Sequence, residues 1–281
     1  MLQPVFRFAP SPNGYLHMGH AYSALYTAQW AGMMAGRFLL RIEDIDRERS
    51  KPEFTEAIFE DLHWLGLAWE KPVWRQSERF PAYVAAAGRL RRLGLLYPCF
   101  CSRSEIADAA TGMDPDGAPL YAGTCRHLDP LEAGRRLEAG DEASWRLKTD
   151  IATAMTGMLT FTTAGPTPLD RPQIRYARPE LWGDVVLQRK DTPTSYHLSV
   201  VVDDAAQGVT HVTRGRDMEA STDIHVLLQM LLGLPSPVYT FHKLILDAEG
   251  RKLSKSKGSP SLRSLREAGW TAADVRRELG F

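Results

Sequence analysis

The chain has 281 residues, 44% of them hydrophobic and 24% charged, enough for one large domain, or one carrying a smaller insertion, around a substantial core. Lys plus Arg and Asp plus Glu each number 34, so the zero net charge excludes a global pull toward nucleic acid or membrane, and any RNA contact must use a local basic face. No stretch reaches the ~18 apolar residues of a membrane span and MLQPVFRFAP lacks the pattern of a secretory signal, so a cytoplasmic protein with no membrane partner is expected.

Val5 to Phe8 reads as a short strand ended by Pro10 and Pro12, and Arg37 to Ile42 as another, entered through Gly36. Between them, about His17 to Ala35 is rich in Ala, Leu, Met and aromatics with no proline, which suits a buried crossover helix and hence a parallel strand pair. A second helix follows Asp46, with Ser50 as N-cap, Pro52 early, and Phe54, Ile58, Leu62 and Leu65 on one face. Tyr83, Ala87, Leu90 and Leu93 mark a third.

From Pro98 to about Pro179 the periodicity weakens and Gly, Pro and Thr accumulate, which reads as an inserted domain. A β pattern returns in GDVVLQRK, YHLSVVVDD and GVTHVTRG, followed by a helix with Ile224, Leu227, Leu228 and Leu231 at helical spacing. YTFHKLIL is a last strand candidate, ahead of the charged loop DAEGRKLSKSKGSPS and a short helical tail. The expected division is a first catalytic half over 1–95, an insertion over 96–182, a second half over 183–240, and a loop with helical tail over 241–281.

His17 and His20 flank Gly19 at the mouth of the first helix, where unpaired amides and the helix dipole favour phosphate. HxxH alone equally fits a capped turn, satisfied core histidines or metal ligands. Three cysteines, Cys99, Cys101 and Cys125, are an odd number packed into one stretch, a pattern nearer to metal binding than to disulfides. Tetrahedral zinc needs a fourth ligand, for which Tyr121, His127 and Asp129 are candidates.

APSPNGYLHMGH together with KLSKS (Lys252 to Ser256) resembles the paired signatures of class I aminoacyl-tRNA synthetases. RFAPSPNGYLHMGHAYSAL, FLLRIEDIDRERS, SYHLSVVVDD and GVTHVTRG extend the resemblance to the glutamyl branch. The sequence stops 25 residues after Ser256, where ordinary glutamyl-tRNA synthetases carry an anticodon-binding domain. That points toward the truncated paralogue family of glutamyl-Q tRNA(Asp) synthetases.

The resemblance implies an α/β fold with a Rossmann-type parallel sheet, an inserted zinc-bearing domain and a short helical tail. It implies catalytic roles for His17, His20 and Lys255, and an ATP site of His17, Gly19, His20, Lys252, Ser254 and Lys255 with Mg²⁺ on the nucleotide. Arg7, Ala9, Ser11, Glu43, Tyr196 and Arg214 would hold L-glutamate. The family pattern CxC…YxxxC makes Tyr121 the fourth ligand of a structural zinc beside Cys99, Cys101 and Cys125.

The implied reaction is tRNA-independent glutamyl-adenylate formation, then transfer of glutamate to the queuosine base of the tRNA(Asp) anticodon stem-loop, by a protein expected to act as a monomer. A minimal glutamyl-tRNA synthetase, an adenylate-forming nucleotidyltransferase that ignores RNA, and a noncatalytic RNA-binding paralogue are the competing readings. One departure from ordinary glutamyl-tRNA synthetases is that Val200 and Met218 are apolar, which is expected to weaken the binding of free glutamate.

Overall fold

The computed structural model describes residues 3–165, 167, 168, 170–247, 250, 253 and 260–281. Lys252, Ser254 and Lys255 lie outside the described residues. In chain order the first elements are β1 (Val5–Phe8), α1 (Met18–Met33), β2 (Arg37–Ile42), α2 (Pro52–Trp64), β3 (Glu70–Arg75) and α3 (Phe80–Arg92). There follow β4 (Leu96–Cys99), α4 (Arg103–Asp108), α5 (Pro130–Glu138), β5 (Ser144–Leu147), α6 (Thr149–Thr156), β6 (Thr160–Thr163), β7 (Gln173–Tyr176) and β8 (Val186–Gln188). The last are α7 (Tyr196–Ala206), β9 (His211–Gly215), α8 (Thr222–Leu232), β10 (Val238–His242), α9 (Leu262–Glu267) and α10 (Ala272–Leu279).

The main sheet has the order β3-β2-β1-β9-β10-β6-β7; all its pairs are parallel except the last, in which β7 returns antiparallel to β6. Alternation along β1 and β2 sorts side chains onto two faces. Phe6, Phe8, Phe38, Leu40 and Ile42 enter one core with Leu25 and Trp30 of α1, Ile58 and Leu62 of α2 and Val275 of α10. Val5 and Leu39 enter a second core with Leu90 of α3, Leu198 and Val201 of α7 and Leu227 of α8. Arg7 and Arg41, in step with Val5 and Leu39, therefore point to this second side.

Gly36 admits β2 to the sheet: its N–H donates to Ala31 O at 2.7 Å, and a Cβ there would lie 2.8 Å from Pro4 O. Any side chain would push β2 away from β1.

Two local readings are corrected. YHLSVVVDD is not a strand but α7, whose Leu198, Ser199, Val200, Val201, Asp203 and Asp204 are all buried. A helix buried on most sides shows no polar stripe, so a short β-branched run cannot be told from a strand by pattern. Ser50 does not cap α2: Pro52 occupies the first turn and Lys51 is the cap position, without a side-chain bond. Ser50 stands one residue too early for its hydroxyl to reach the first amides.

β4, β5 and β8 form a separate antiparallel sheet, in which Tyr97 faces Arg146 and Trp145 faces Gln188. Its strands come from both sides of residue 182, whereas β6 and β7, from within 96–182, extend the main sheet. Sequence pattern marks where strands are, and long-range hydrogen bonding chooses their partners.

Candidate active site and thiol cluster

The C-terminal ends of β1, β2, β9 and β10 open onto a cavity of about 830 Å³. Arg7, Ala9, Ser11, His17, Gly19, His20, Glu43, Tyr196 and Arg214, every described residue expected at the ATP or glutamate site, line it. Met218 also lines it, while Val200, on α7, is packed in the core and has no place in the wall.

His17 is the N-cap of α1, not its first turn: its Nδ1 accepts from Gly19 N at 3.1 Å, and His20 Nδ1 accepts from His17 N at 3.2 Å. The two rings thus do the work of a Ser/Glu capping box, with centroids 3.9 Å apart. A neutral imidazole that accepts at Nδ1 carries its proton on Nε2, which makes Nε2–H the donor edge of each ring. Capping and phosphate recognition are therefore compatible uses of the same pair.

The tail is stitched to this helix mouth. Leu262 N donates to Leu16 O at 2.7 Å, and Ser261 pairs with His17 in an antiparallel bridge. On the other flank of the second signature, Leu253 lines the cavity and donates to Ile245 O at 3.4 Å.

The cavity wall also has an ionic part, braced by buried charges behind it. Arg7 Nε meets Asp204 Oδ1 at 3.0 Å and its Nη1 donates to Thr213 O at 3.4 Å. Arg41, fully buried, donates to Asp204 at 2.7 Å, Gln207 at 2.7 Å and Glu43 at 3.3 Å, with Asp203 at 4.0 Å. Burial pushes the Glu43 carboxyl above its ordinary range, only partly offset by Arg41 and Arg7. At Asp204 burial is outweighed by the same two guanidiniums, which hold its carboxyl below that range.

Arg214 lies over the rings of Tyr239 and Phe241, at 5.3 and 5.7 Å, and donates to Thr222 Oγ1 and to His225 Nδ1, the latter at 3.2 Å. Its Nε–H is buried with no hydrogen-bond partner among the described residues. Arg214 itself lines the cavity, and a guanidinium there suits a ligand carboxylate.

Arg41, Asp204 and His225, which hold the cavity-lining Arg7, Glu43 and Arg214 from behind, are residues the sequence reading missed. The signals were an arginine within the apolar run FLLRI and the acidic pair closing VVVDD; nothing marked His225.

Outside this cavity, the Sγ atoms of Cys99, Cys101 and Cys125 lie within 4.8 Å of one another, and Cys101 and Cys125 are 3.5 Å apart. Tyr121 joins them: its hydroxyl is 3.3 Å from Cys99 Sγ and 3.9 Å from Cys101 Sγ, and accepts from Cys125 N at 2.8 Å. Sulfurs on tetrahedral zinc, with Zn–S of about 2.3 Å, stand roughly 3.8 Å apart, so the donor set matches that ion. His127 is exposed and outside the group, and Asp129 caps α5 through Leu131 N. Burial raises the Cys101 thiol to about 11, whereas at Cys125 burial is outweighed by donors including the Phe100 amide, leaving it below its usual value.

Residues 4–278 match the catalytic domain of the class I tRNA synthetases for E and Q. A glutamyl-Q tRNA(Asp) synthetase from Rhodobacter capsulatus is 48% identical over 99% of this chain and 100% of its own length. A glutamate–tRNA ligase 2 from Nitrosococcus oceani is 41% identical over 94% of this chain but only 56% of its own. A crystal structure of a glutamate tRNA ligase from Elizabethkingia meningosepticum, in complex with its amino acid, superposes with a TM-score of 0.73 at 28% identity, covering 92% of this chain. The chain spans about half, 53%, of that solved protein. Among the described residues no helix is long and apolar enough to cross a membrane. The chain belongs to the class I tRNA synthetases of the glutamate and glutamine group, a family of ATP-dependent ligases.

Proposed function

We propose that this protein activates L-glutamate with ATP as glutamyl-adenylate, without needing tRNA, and transfers the glutamate to the queuosine base in the anticodon loop of tRNA(Asp). The observation that carries the reading is that an ionic part of the wall (Arg7, Glu43, Tyr196, Arg214) and a helix mouth (His17, Gly19, His20) share one cavity. The similarity to the Rhodobacter capsulatus protein over its full length supports the choice of acceptor.

In the first step a glutamate carboxylate oxygen attacks the α-phosphorus of ATP in line with the leaving pyrophosphate, and the bond to pyrophosphate breaks as the acyl-phosphate bond forms. His17 and His20 donate from Nε2 to phosphate oxygens as charge builds there. Lys252, Ser254 and Lys255 complete the ATP site, a role resting on their sequence motif, and Mg²⁺ arrives with the nucleotide. Glu43 faces the substrate ammonium, Arg7 and Arg214 its carboxylates, while Ala9 and Ser11 shape the intervening wall. In the second step a nucleophile on the acceptor base attacks the activated carbonyl carbon and AMP leaves.

Cys99, Cys101, Tyr121 and Cys125 hold one structural zinc, which pins the 99–125 stretch and takes no part in either step. The protein works as a cytoplasmic monomer.

The test is to incubate the chain with ATP and radiolabelled glutamate in the presence of tRNA(Asp) with queuosine, tRNA(Asp) without it, and tRNA(Glu). Label in the first alone supports the reading. Label in tRNA(Glu) would make this a minimal glutamyl-tRNA synthetase, and ATP–pyrophosphate exchange with no labelled RNA would leave an adenylate-forming nucleotidyltransferase.

A further inference from the structure

Behind Arg214, away from the cavity, two histidines continue its hydrogen bonding. His225 Nδ1 of α8 stands 3.2 Å from Arg214 Nη1, and His225 Nε2 stands 3.3 Å from His197 Nδ1 of α7. His225 is almost fully buried; its ring also lies 5.4 Å from that of Tyr196, and His197 packs edge-on against Trp182 at 5.4 Å. Neither histidine lines the cavity.

The donor inventory fixes the protons. A guanidinium only donates, so His225 Nδ1 must accept and its proton resides on Nε2; Nε2–H then donates to His197 Nδ1, which places the proton of His197 on its own Nε2. A second proton on His225 would set an N–H against an N–H of Arg214. In agreement, burial, reinforced by Arg214, lowers His197 to about 4 and holds His225 well below its ordinary value.

We infer that His225, oriented by His197, is a positioning residue that fixes the rotation of Arg214 and so the direction in which its remaining N–H groups meet the substrate carboxylate. This rests on the assignment of Arg214 to the glutamate pocket. With Nη1 held by His225 and Nη2 by Thr222, two of its five N–H donors set the guanidinium plane from behind, and the others are left for further acceptors. The relay therefore acts on glutamate binding and leaves the nucleotide alone.

The experiment is glutamate-dependent ATP–pyrophosphate exchange on the full chain. His225→Leu, which deletes the acceptor, is expected to raise KM for glutamate at least tenfold with KM for ATP unchanged. His225→Asn, whose amide oxygen can take the place of Nδ1, should recover most of that loss, and His197→Phe should raise KM for glutamate about threefold. Arg214→Ala separates the two ideas: if it leaves KM for glutamate unchanged, the pocket assignment fails, whereas a large rise there with His225→Leu within twofold of wild type overturns the relay alone. ¹⁵N-histidine NMR of the wild-type protein needs no variant to fold: two neutral rings protonated at Nε2 at pH 7 are expected, and an Nδ1-protonated or charged His225 would overturn the inference.

Discussion

Arg7 and Asp204 are 197 positions apart and meet at 3.0 Å, and the same carboxylate holds Arg41 at 2.7 Å, so one aspartate of α7 anchors two buried guanidiniums from neighbouring strands. Removing its charge leaves both without their main partner. Asp204→Asn is expected to cost about 3–5 kcal/mol in urea unfolding at pH 7, the range for breaking one side of a buried pair. Its carboxyl is depressed in the folded state, so its contribution is present above the unfolded pKa of about 3.9 and is lost as pH falls through the lower folded value. Wild type should lose this increment in acid, and the variant should not.

Asp61 has the opposite sign. Fully buried on α2, 2.9 Å from Arg266 of α9, its carboxyl is raised to about 6, burial outweighing the attraction of the guanidinium. A raised acid favours the folded state at low pH and disfavours it as pH climbs from about 4 to 6 and beyond. Asp61→Asn should therefore raise Tm at pH 7.5 and have little effect at pH 4; an equal change at both would show that the carboxyl is ionised throughout.

Glu43 lines the cavity and is half satisfied by Arg41 at 3.3 Å. Glu43→Gln keeps shape and loses charge. A charge-assisted hydrogen bond contributes about 1.5–3 kcal/mol, so KM for glutamate should rise roughly ten- to hundredfold with little change in KM for ATP. Unequal effects in the reverse direction would move Glu43 to the nucleotide.

His17 allows its two tasks to be separated. His17→Ala removes the cap, at about 1 kcal/mol, and the donor edge as well. His17→Asn retains a good capping side chain, so it should unfold in urea close to wild type while pyrophosphate exchange slows about a hundredfold, as for loss of one transition-state donor. Parallel losses of stability and rate in both variants would reduce the residue to a cap.

Chelation should remove one zinc per chain and lower Tm, and Cys125→Ser should reproduce both effects. Tyr121→Phe should weaken retention of the metal more than His127→Ala, because the Tyr121 hydroxyl lies 3.3 Å from Cys99 Sγ and His127 faces solvent. Equal retention in both variants would leave the fourth position to another donor.

β1 and β2 were readable because short apolar runs are punctuated by Pro10, Pro12 and Gly36, and local punctuation survives folding. The thiol cluster was readable because three cysteines within a short span have few other uses, although its fourth member came from resemblance and not from spacing. α7 was misread because tertiary burial erased its polar face. Arg41 and Asp204 went unseen for a different reason: their meaning lies in each other, across 163 residues, and periodicity carries no information at that range.

Gly36 sets more than the geometry of one turn. β2 alternates between two vocations: Phe38, Leu40 and Ile42 feed the apolar core, while Arg41 braces from behind the Glu43 that follows the strand and lines the cavity. A slip of a single residue would exchange them, sending the ions into oil and the isoleucine into the pocket. In this strand the capacity to fold and the capacity to recognise a substrate are written in the same phase, and the narrow passage that only glycine allows beside Pro4 keeps that phase from drifting.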